Sequence, residues 1–185
     1  MRHSYPRFRA ARALLACAAL AALAAVSAHP AHASVRPHLY SVSVDPPAVT
    51  AQLAGEMLRL LNEDRVSAGR APLTLDPRLA TLAANHSRDM AVRRYFAHIA
   101  PGDSDAFDRF ARAGIRFDAA AENIGRIDNR PLEVEVAALN AAMMAEPLDG
   151  ASHHDNIVDT RLHRVGIGLC IGPDDSMYLT EDFTN

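Results

Sequence analysis

The chain has no lysine and no tryptophan, and only two cysteines in 185 residues. Cys17 falls inside an N-terminal apolar run. Once that run is removed Cys170 stands alone, and no internal disulfide can form. An exported domain of this kind has to be held by its core, and about 150 residues are enough to bury one. Positive charge is also scarce. All 19 basic residues are arginine, and Arg2, Arg7, Arg9 and Arg12 precede the apolar run. The remaining 15 face 22 carboxylates, a net charge of −7. That excludes the basic footprint a phosphate backbone needs, so no nucleic-acid partner is expected. It argues equally against an anionic membrane surface. The lack of lysine beside abundant alanine and arginine reflects genome composition rather than function. Ready-made metal motifs are missing too: there is no His-Glu-x-x-His and no paired-cysteine signature.

What is present begins with an export signal. The four arginines form a basic n-region, and 13–26 is an unbroken apolar run. Ala31-His32-Ala33 fits a small-residue cleavage site, with Val26-Ser27-Ala28 as the second option. The run is short for a membrane span, so no stable span is expected after cleavage. Leu14-Leu15-Ala16-Cys17 imitates a lipobox, but most of the apolar segment follows the cysteine. No Arg-Arg pair offers a twin-arginine signal. The expected division is a signal peptide over 1–33, a proline-containing extended lead-in over 34–50, and one domain over 51–185. A secreted or periplasmic protein follows.

Within that domain helices come first and strands last. Thr50 is placed to cap a helix whose stripe is Leu53, Met57, Leu60 and Leu61, ending near Gly69. A connector at 71–75 leads to Asp76-Pro77, an acidic cap with proline at the first helical position. Leu79, Leu82, Ala83, His86 and Met90 then share one stripe. His86 on that stripe reads first as a packed core histidine, and Asp89 and Arg93 as a solvated i, i+4 pair. Asp103 or Ser104 is expected to cap a short helix with Phe107, Phe110 and Ala111 inward. A strand over 117–127 carries Glu122. A fourth helix opens at Pro131-Leu132 and stops at Glu146-Pro147, because a residue before proline avoids helical geometry. In 165–172 branched residues alternate with Gly166, Gly168, Cys170 and Gly172. That is a strand with one bare side, inviting close approach of another backbone or side chain, and Cys170 on it reads as an inert packed thiol. A hairpin loop at 172–176 and a returning strand close the chain. This order predicts an α+β fold with an antiparallel sheet.

Three arrangements could carry chemistry. A carboxylate inside the apolar run Ala120-Ala121-Glu122-Asn123-Ile124-Gly125 needs a partner or a cleft, because a lone buried charge costs several kcal/mol. His98, Glu122, Glu146 and His153 offer imidazole nitrogen and carboxylate oxygen, the donors zinc accepts, from four separate segments. Glu122 and Glu146 could alternatively do acid/base work if burial separates their pKa values. Gly150-Ala151-Ser152-His153-His154 half-mimics a nucleophile elbow, but it lacks the final glycine and the preceding strand.

Five segments stand in order along the chain: Leu61-Asn62-Glu63-Asp64-Arg65 with Pro72-Leu73 and Asp76; Asp89-Met90 with Tyr95-Phe96-Ala97-His98 and Pro101-Gly102; Ala121-Glu122-Asn123-Ile124; His153 to Ile157 with Val165-Gly166-Ile167-Gly168; and Tyr178-Leu179-Thr180-Glu181-Asp182-Phe183. Taken in that order they resemble the CAP superfamily, named for cysteine-rich secretory proteins, antigen 5 and pathogenesis-related 1 proteins, in its bacterial SCP-like extracellular branch. The resemblance implies a three-layer α-β-α sandwich with a central cleft and a tetrad of two His and two Glu. By position these are His98, Glu122, Glu146 and His153, with Asn123, His154 and Asn156 as cleft support. His154 is the rival of His153, which is preferred because it lies three residues before Asn156 and twelve before Val165, the family's spacing. The expectation is a divalent metal, zinc among the candidates, and an unknown extracellular or envelope ligand. A metal-assisted hydrolase of peptide, glycan or lipid is the alternative, and a purely structural tetrad the third reading. The chain departs from the pattern in three places. Ala121 replaces a glycine, Met143 or Met144 stands where a tryptophan is common, and Glu181 stands where glutamine is more usual and would call for an arginine partner.

Overall fold

A computed structural model describes residues 47–102, 105–128 and 132–185, all within the compact unit Tyr40–Asn185. The expected signal peptide and most of the lead-in lie outside the described residues, as do Asp103, Ser104 and Pro131.

The first helix, α1 (Pro47–Ser67), starts inside the stretch expected to be extended. Thr50 therefore sits within the helix rather than capping it. Leu53, Met57 and Leu61 are buried along the anticipated stripe. The connector contains a two-residue strand, β1 (Thr74–Leu75), with both side chains exposed. Helix α2 (Pro77–Arg93) begins as its sequence dictates. The Asp76 side chain accepts from the N–H groups of Arg78 (2.8 Å) and Leu79 (3.3 Å), and a proline follows at once. Helix α3 (Ala106–Arg112) is capped by Asp105, whose carboxylate accepts from Asp108 N–H at 2.9 Å. Its buried pair is Ala106 and Phe110, spaced i, i+4. Phe107 stays 45% exposed and Ala111 is exposed, against expectation, because so short a helix turns only one narrow stripe inward.

The remaining elements are β2 (Ala120–Ile127), α4 (Leu132–Met144), α5 (His153–Val158), β3 (Arg164–Ile171) and β4 (Met177–Thr184). The sheet order is β1-β3-β4-β2. The three long strands are antiparallel, as the closing hairpin requires, while β1 pairs parallel with β3 through Thr74–Arg164 and Leu75–Val165. The sheet is therefore mixed, by virtue of one short edge strand that the connector's length disguised.

The alternation in β3 builds the layers. Val165, Ile167, Leu169 and Ile171 pack with Leu53, Met57 and Leu61 of α1 and with Val136 and Met143 of α4. Each such side chain buried contributes about 1.5–3 kcal/mol. On the other face, a Cβ added at Gly166 would fall 2.0 Å from the Leu79 carbonyl carbon, and one at Gly168 would fall 2.0 Å from the Ala84 nitrogen. Backbone meets backbone there, so α2 lies directly on the sheet. Leu79 in turn packs with Phe110 and Ile115, joining α3 to that layer. The result is an α+β sandwich, with α2 and α3 on one face and α1, α4 and α5 on the other. Cys170 is buried in β3. Among the described residues no helix is long and apolar enough to cross a membrane.

Buried Arg65 ties this second layer together. Its guanidinium donates to the carbonyls of Ala71 (2.8 Å), Ile157 (2.7 Å), Asp159 (3.0 Å) and Leu162 (3.0 Å). It thereby anchors the C-terminal end of α5, whose N-terminal residue is His153.

Candidate functional site

Consecutive residues of β2 point to opposite faces of the sheet. The register sets Glu122 beside Asp182 and Asp182 beside Gly166, on the α2 face. It sets Asn123 beside Glu181 and Glu181 beside Ile167, on the α1 face. All three carboxyls are buried, and each is accommodated differently.

Glu122 meets the partners its burial demands. Its Oε1 lies 2.8 Å from His98 Nδ1, and its Oε2 accepts from the Arg109 guanidinium. Arg109 also donates to the His98 carbonyl at 3.1 Å. The His98 side chain is 52% exposed while that of Glu122 is 3% exposed. The imidazole therefore bridges the interior and solvent. His86 Nε2 donates to the Ala97 carbonyl at 3.1 Å and lies 4.0 Å from Glu122. Burial lowers its pKa, the Glu122 charge opposing, so His86 is a neutral core histidine as its stripe suggested. It is also a wall of the Glu122 pocket, which the stripe did not suggest.

Among the described residues no N–H or O–H donor reaches either Asp182 carboxyl oxygen, and its polar neighbour is the Glu122 carboxylate on the adjacent strand. Burial, and then the neighbouring Glu122 charge, hold its pKa well above the ordinary carboxylate range, a direction that favours a proton held between Asp182 and Glu122. Among the described residues no arginine meets Glu181, contrary to expectation. Its Oε2 accepts from Asn123 Nδ2 at 3.1 Å and its Oε1 has no partner. Burial pushes its pKa up to about 7. Below about pH 7 protonation takes the place of a cation, and the neutral carboxyl then resembles a glutamine side chain.

The second histidine is placed by a tightly wound loop. Ser152 caps α5 and forms a capping box with Asp155. The Asp155 carboxylate also accepts from the N–H groups of Asp149 (3.1 Å) and Gly150 (2.8 Å). This brings His153 back to Glu146, just beyond α4. Glu146 Oε2 accepts from His153 N–H at 2.8 Å, and Oε1 lies 2.7 Å from His153 Nδ1. That contact lowers the Glu146 pKa. His154 takes the Glu146 main-chain carbonyl instead, at 3.0 Å. The His153 and Glu146 side chains are 30% and 36% exposed.

Asn123 links this second pair to β2. Its Nδ2 donates to the His153 carbonyl at 3.4 Å, and its Oδ1 accepts from Asn156 Nδ2 at 2.8 Å. The structure thus resolves the four expected residues into two His–Glu pairs, joined through the adjacent residues Glu122 and Asn123. Each imidazole gives Nδ1 to a carboxylate and keeps Nε2 for something else, an arrangement that suits imidazole–metal bonding. Among the described residues no three His, Cys, Asp or Glu side chains stand together as a metal cage. A hollow of about 390 Å³ borders α5, with Asn156, Asp155, Arg70 and Arg161 among its walls.

Sequence reasoning missed Arg109. The one available signal was the requirement that buried Glu122 find a cation; nothing in the short helix said which arginine would supply it.

A mixed sheet between two helical layers, carrying paired histidines and glutamates, defines the class. The chain belongs to the Cysteine-rich secretory protein family, CAP, whose model it matches over residues 58–183. It is 27% identical over 128 residues to the uncharacterized protein YkwD of Bacillus subtilis, a match covering 69% of this chain and 46% of that protein. An extracellular SCP-domain protein of Bacillus anthracis superposes with a TM-score of 0.61 at 25% identity, over 76% of this chain and 44% of the other. An outer surface protein of Borrelia burgdorferi gives 0.61 at 16% identity, over 72% and 92%. The chain therefore spans less than half the length of the two Bacillus proteins. Similarity to an extracellular protein of the family supports a secreted or periplasmic location.

Proposed function

We propose that this exported CAP domain binds a divalent metal ion through His98 and His153, and through that ion an extracellular or envelope ligand. One observation carries the reading. Both imidazoles have Nδ1 committed to a glutamate, at 2.8 and 2.7 Å, while both side chains remain partly open to solvent. A histidine held in this way is fixed in the tautomer whose Nε2 lone pair is free to ligate. Imidazole donors suit zinc and its transition-metal neighbours better than magnesium or calcium. The chain supplies two nitrogens, and Glu122 and Glu146 orient them. Further coordination falls to solvent or ligand oxygen. A bound ion would polarise that oxygen and lower a water's pKa.

Calorimetric titration of zinc into the wild type and a His98→Ala, His153→Ala double variant tests this. Binding by the wild type and none by the variant is expected; equal affinities would remove the site. The second reading is a metal-assisted hydrolase. It is favoured by the solvent-accessible Glu146–His153 dyad, a carboxylate–imidazole pair able to move protons. It requires Glu146→Gln, which removes the carboxylate of that dyad, to abolish turnover of a peptide, glycan or lipid substrate without unfolding the chain.

A further inference from the structure

We propose that Arg109 is the positioning residue of the His98 half of the site, and that it makes the two His–Glu pairs chemically unequal. This rests on the metal reading above. Helix α3 is anchored by buried Phe110 and capped by Asp105, so the neighbouring Arg109 side chain has a firm base. From there one guanidinium spans two elements. It donates to the Glu122 carboxylate on β2 and to the main-chain carbonyl of His98 on the preceding loop. The Arg109 side chain is 13% exposed and that of Glu122 3%, so water screens the pair poorly.

Two consequences follow. The loop bearing His98 cannot move relative to Glu122 without breaking a charge-assisted contact. The carboxylate also has one oxygen committed to Arg109, so the other is left facing His98 Nδ1. Glu122 is then an acceptor fixed in direction, and His98 is held as the Nδ1–H tautomer. With both oxygens engaged and buried, Glu122 orients the imidazole rather than binding the ion itself. Glu146 differs. It is 36% exposed, and its two oxygens are met by the N–H and Nδ1 of His153, with no arginine among the described residues. The His98 half is the rigid donor, and the His153 half is the one able to adjust to a ligand.

The test uses the full chain carrying 15N-labelled histidine, as wild type, Arg109→Gln and Arg109→Lys. Long-range proton–nitrogen correlation reads the tautomer of each imidazole without metal, and zinc titration follows. In the wild type His98 and His153 are both expected as Nδ1–H. In Arg109→Gln, His98 becomes a mixture of tautomers while His153 is unchanged, and zinc affinity falls about 10- to 100-fold. Arg109→Lys keeps the charge and so protects the fold, but an ammonium lacks the planar fork that spans both acceptors. It is expected to leave His98 mixed. A wild-type His98 tautomer in the lysine variant, or in a folded glutamine variant, overturns the proposal. If the wild type binds no zinc, the metal reading fails while the tautomer comparison still decides the role of Arg109.

Discussion

Asn123 donates its amide to Glu181 at 3.1 Å, and this is the only hydrogen bond that the fully buried Glu181 carboxyl receives among the described residues. The pKa of Glu181 is raised from 4.5 to about 7, so the folded chain binds a proton that the unfolded chain releases between these values. Stability is therefore fully present below the unfolded value and falls as pH rises towards about 7. Buried Asp182, also raised, adds to the fall. Glu181→Gln keeps an acceptor for Asn123 and cannot ionise. Stability from urea melts should be alike at pH 4 and greater for the variant at pH 8, by roughly 3 kcal/mol. An unchanged pH slope in the variant would contradict this account.

Gly168 lies where α2 touches the sheet, and a methyl group there would stand 2.0 Å from the Ala84 nitrogen. Backbone cannot move aside as a flexible side chain can. Gly168→Ala should cost about 3 kcal/mol or more, at the top of the usual overpacking range. Gly55 in α1 has nothing within 4 Å of its added Cβ, so Gly55→Ala should stabilise by about 0.5–1 kcal/mol. Urea midpoints at constant m-value measure both.

Arg65→Met would retain most of the buried stem and orphan the carbonyls of Ala71, Ile157, Asp159 and Leu162. A loss of about 3 kcal/mol or more is expected. Amide exchange should quicken first across 153–162, the segment that Arg65 pins. Uniform quickening instead would mean that α5 has no local dependence on Arg65.

Much of this architecture could be read beforehand wherever one local rule dominates. Asp76-Pro77 started a helix because cap and proline act on their own backbone. The alternating glycines of β3 announced a close approach on one face of the strand, and the structure shows that the approaching group is the backbone of α2. His98, Glu122, Glu146 and His153 were candidates by donor type and formed one tetrad by family resemblance, but their division into His98–Glu122 and Glu146–His153 was not legible, since spacings of 24 and 7 residues carry no geometric signal. What stayed hidden depended on tertiary neighbours. Phe107 obeyed a helical stripe that α3 is too short to bury. β1 has only two residues and no pattern of its own. The role of Arg109 and the raised pKa of Glu181 follow from what surrounds them, and a single sequence does not show surroundings.

The most direct test of the metal site is a crystal soaked with zinc and measured at the zinc absorption edge. The account predicts an anomalous peak bonded to Nε2 of both His98 and His153, at the usual distance of about 2.0–2.1 Å, with Glu122 and Glu146 still on the Nδ1 atoms. A fully soaked crystal with no peak on these two nitrogens, or with zinc held elsewhere on the domain, would contradict it.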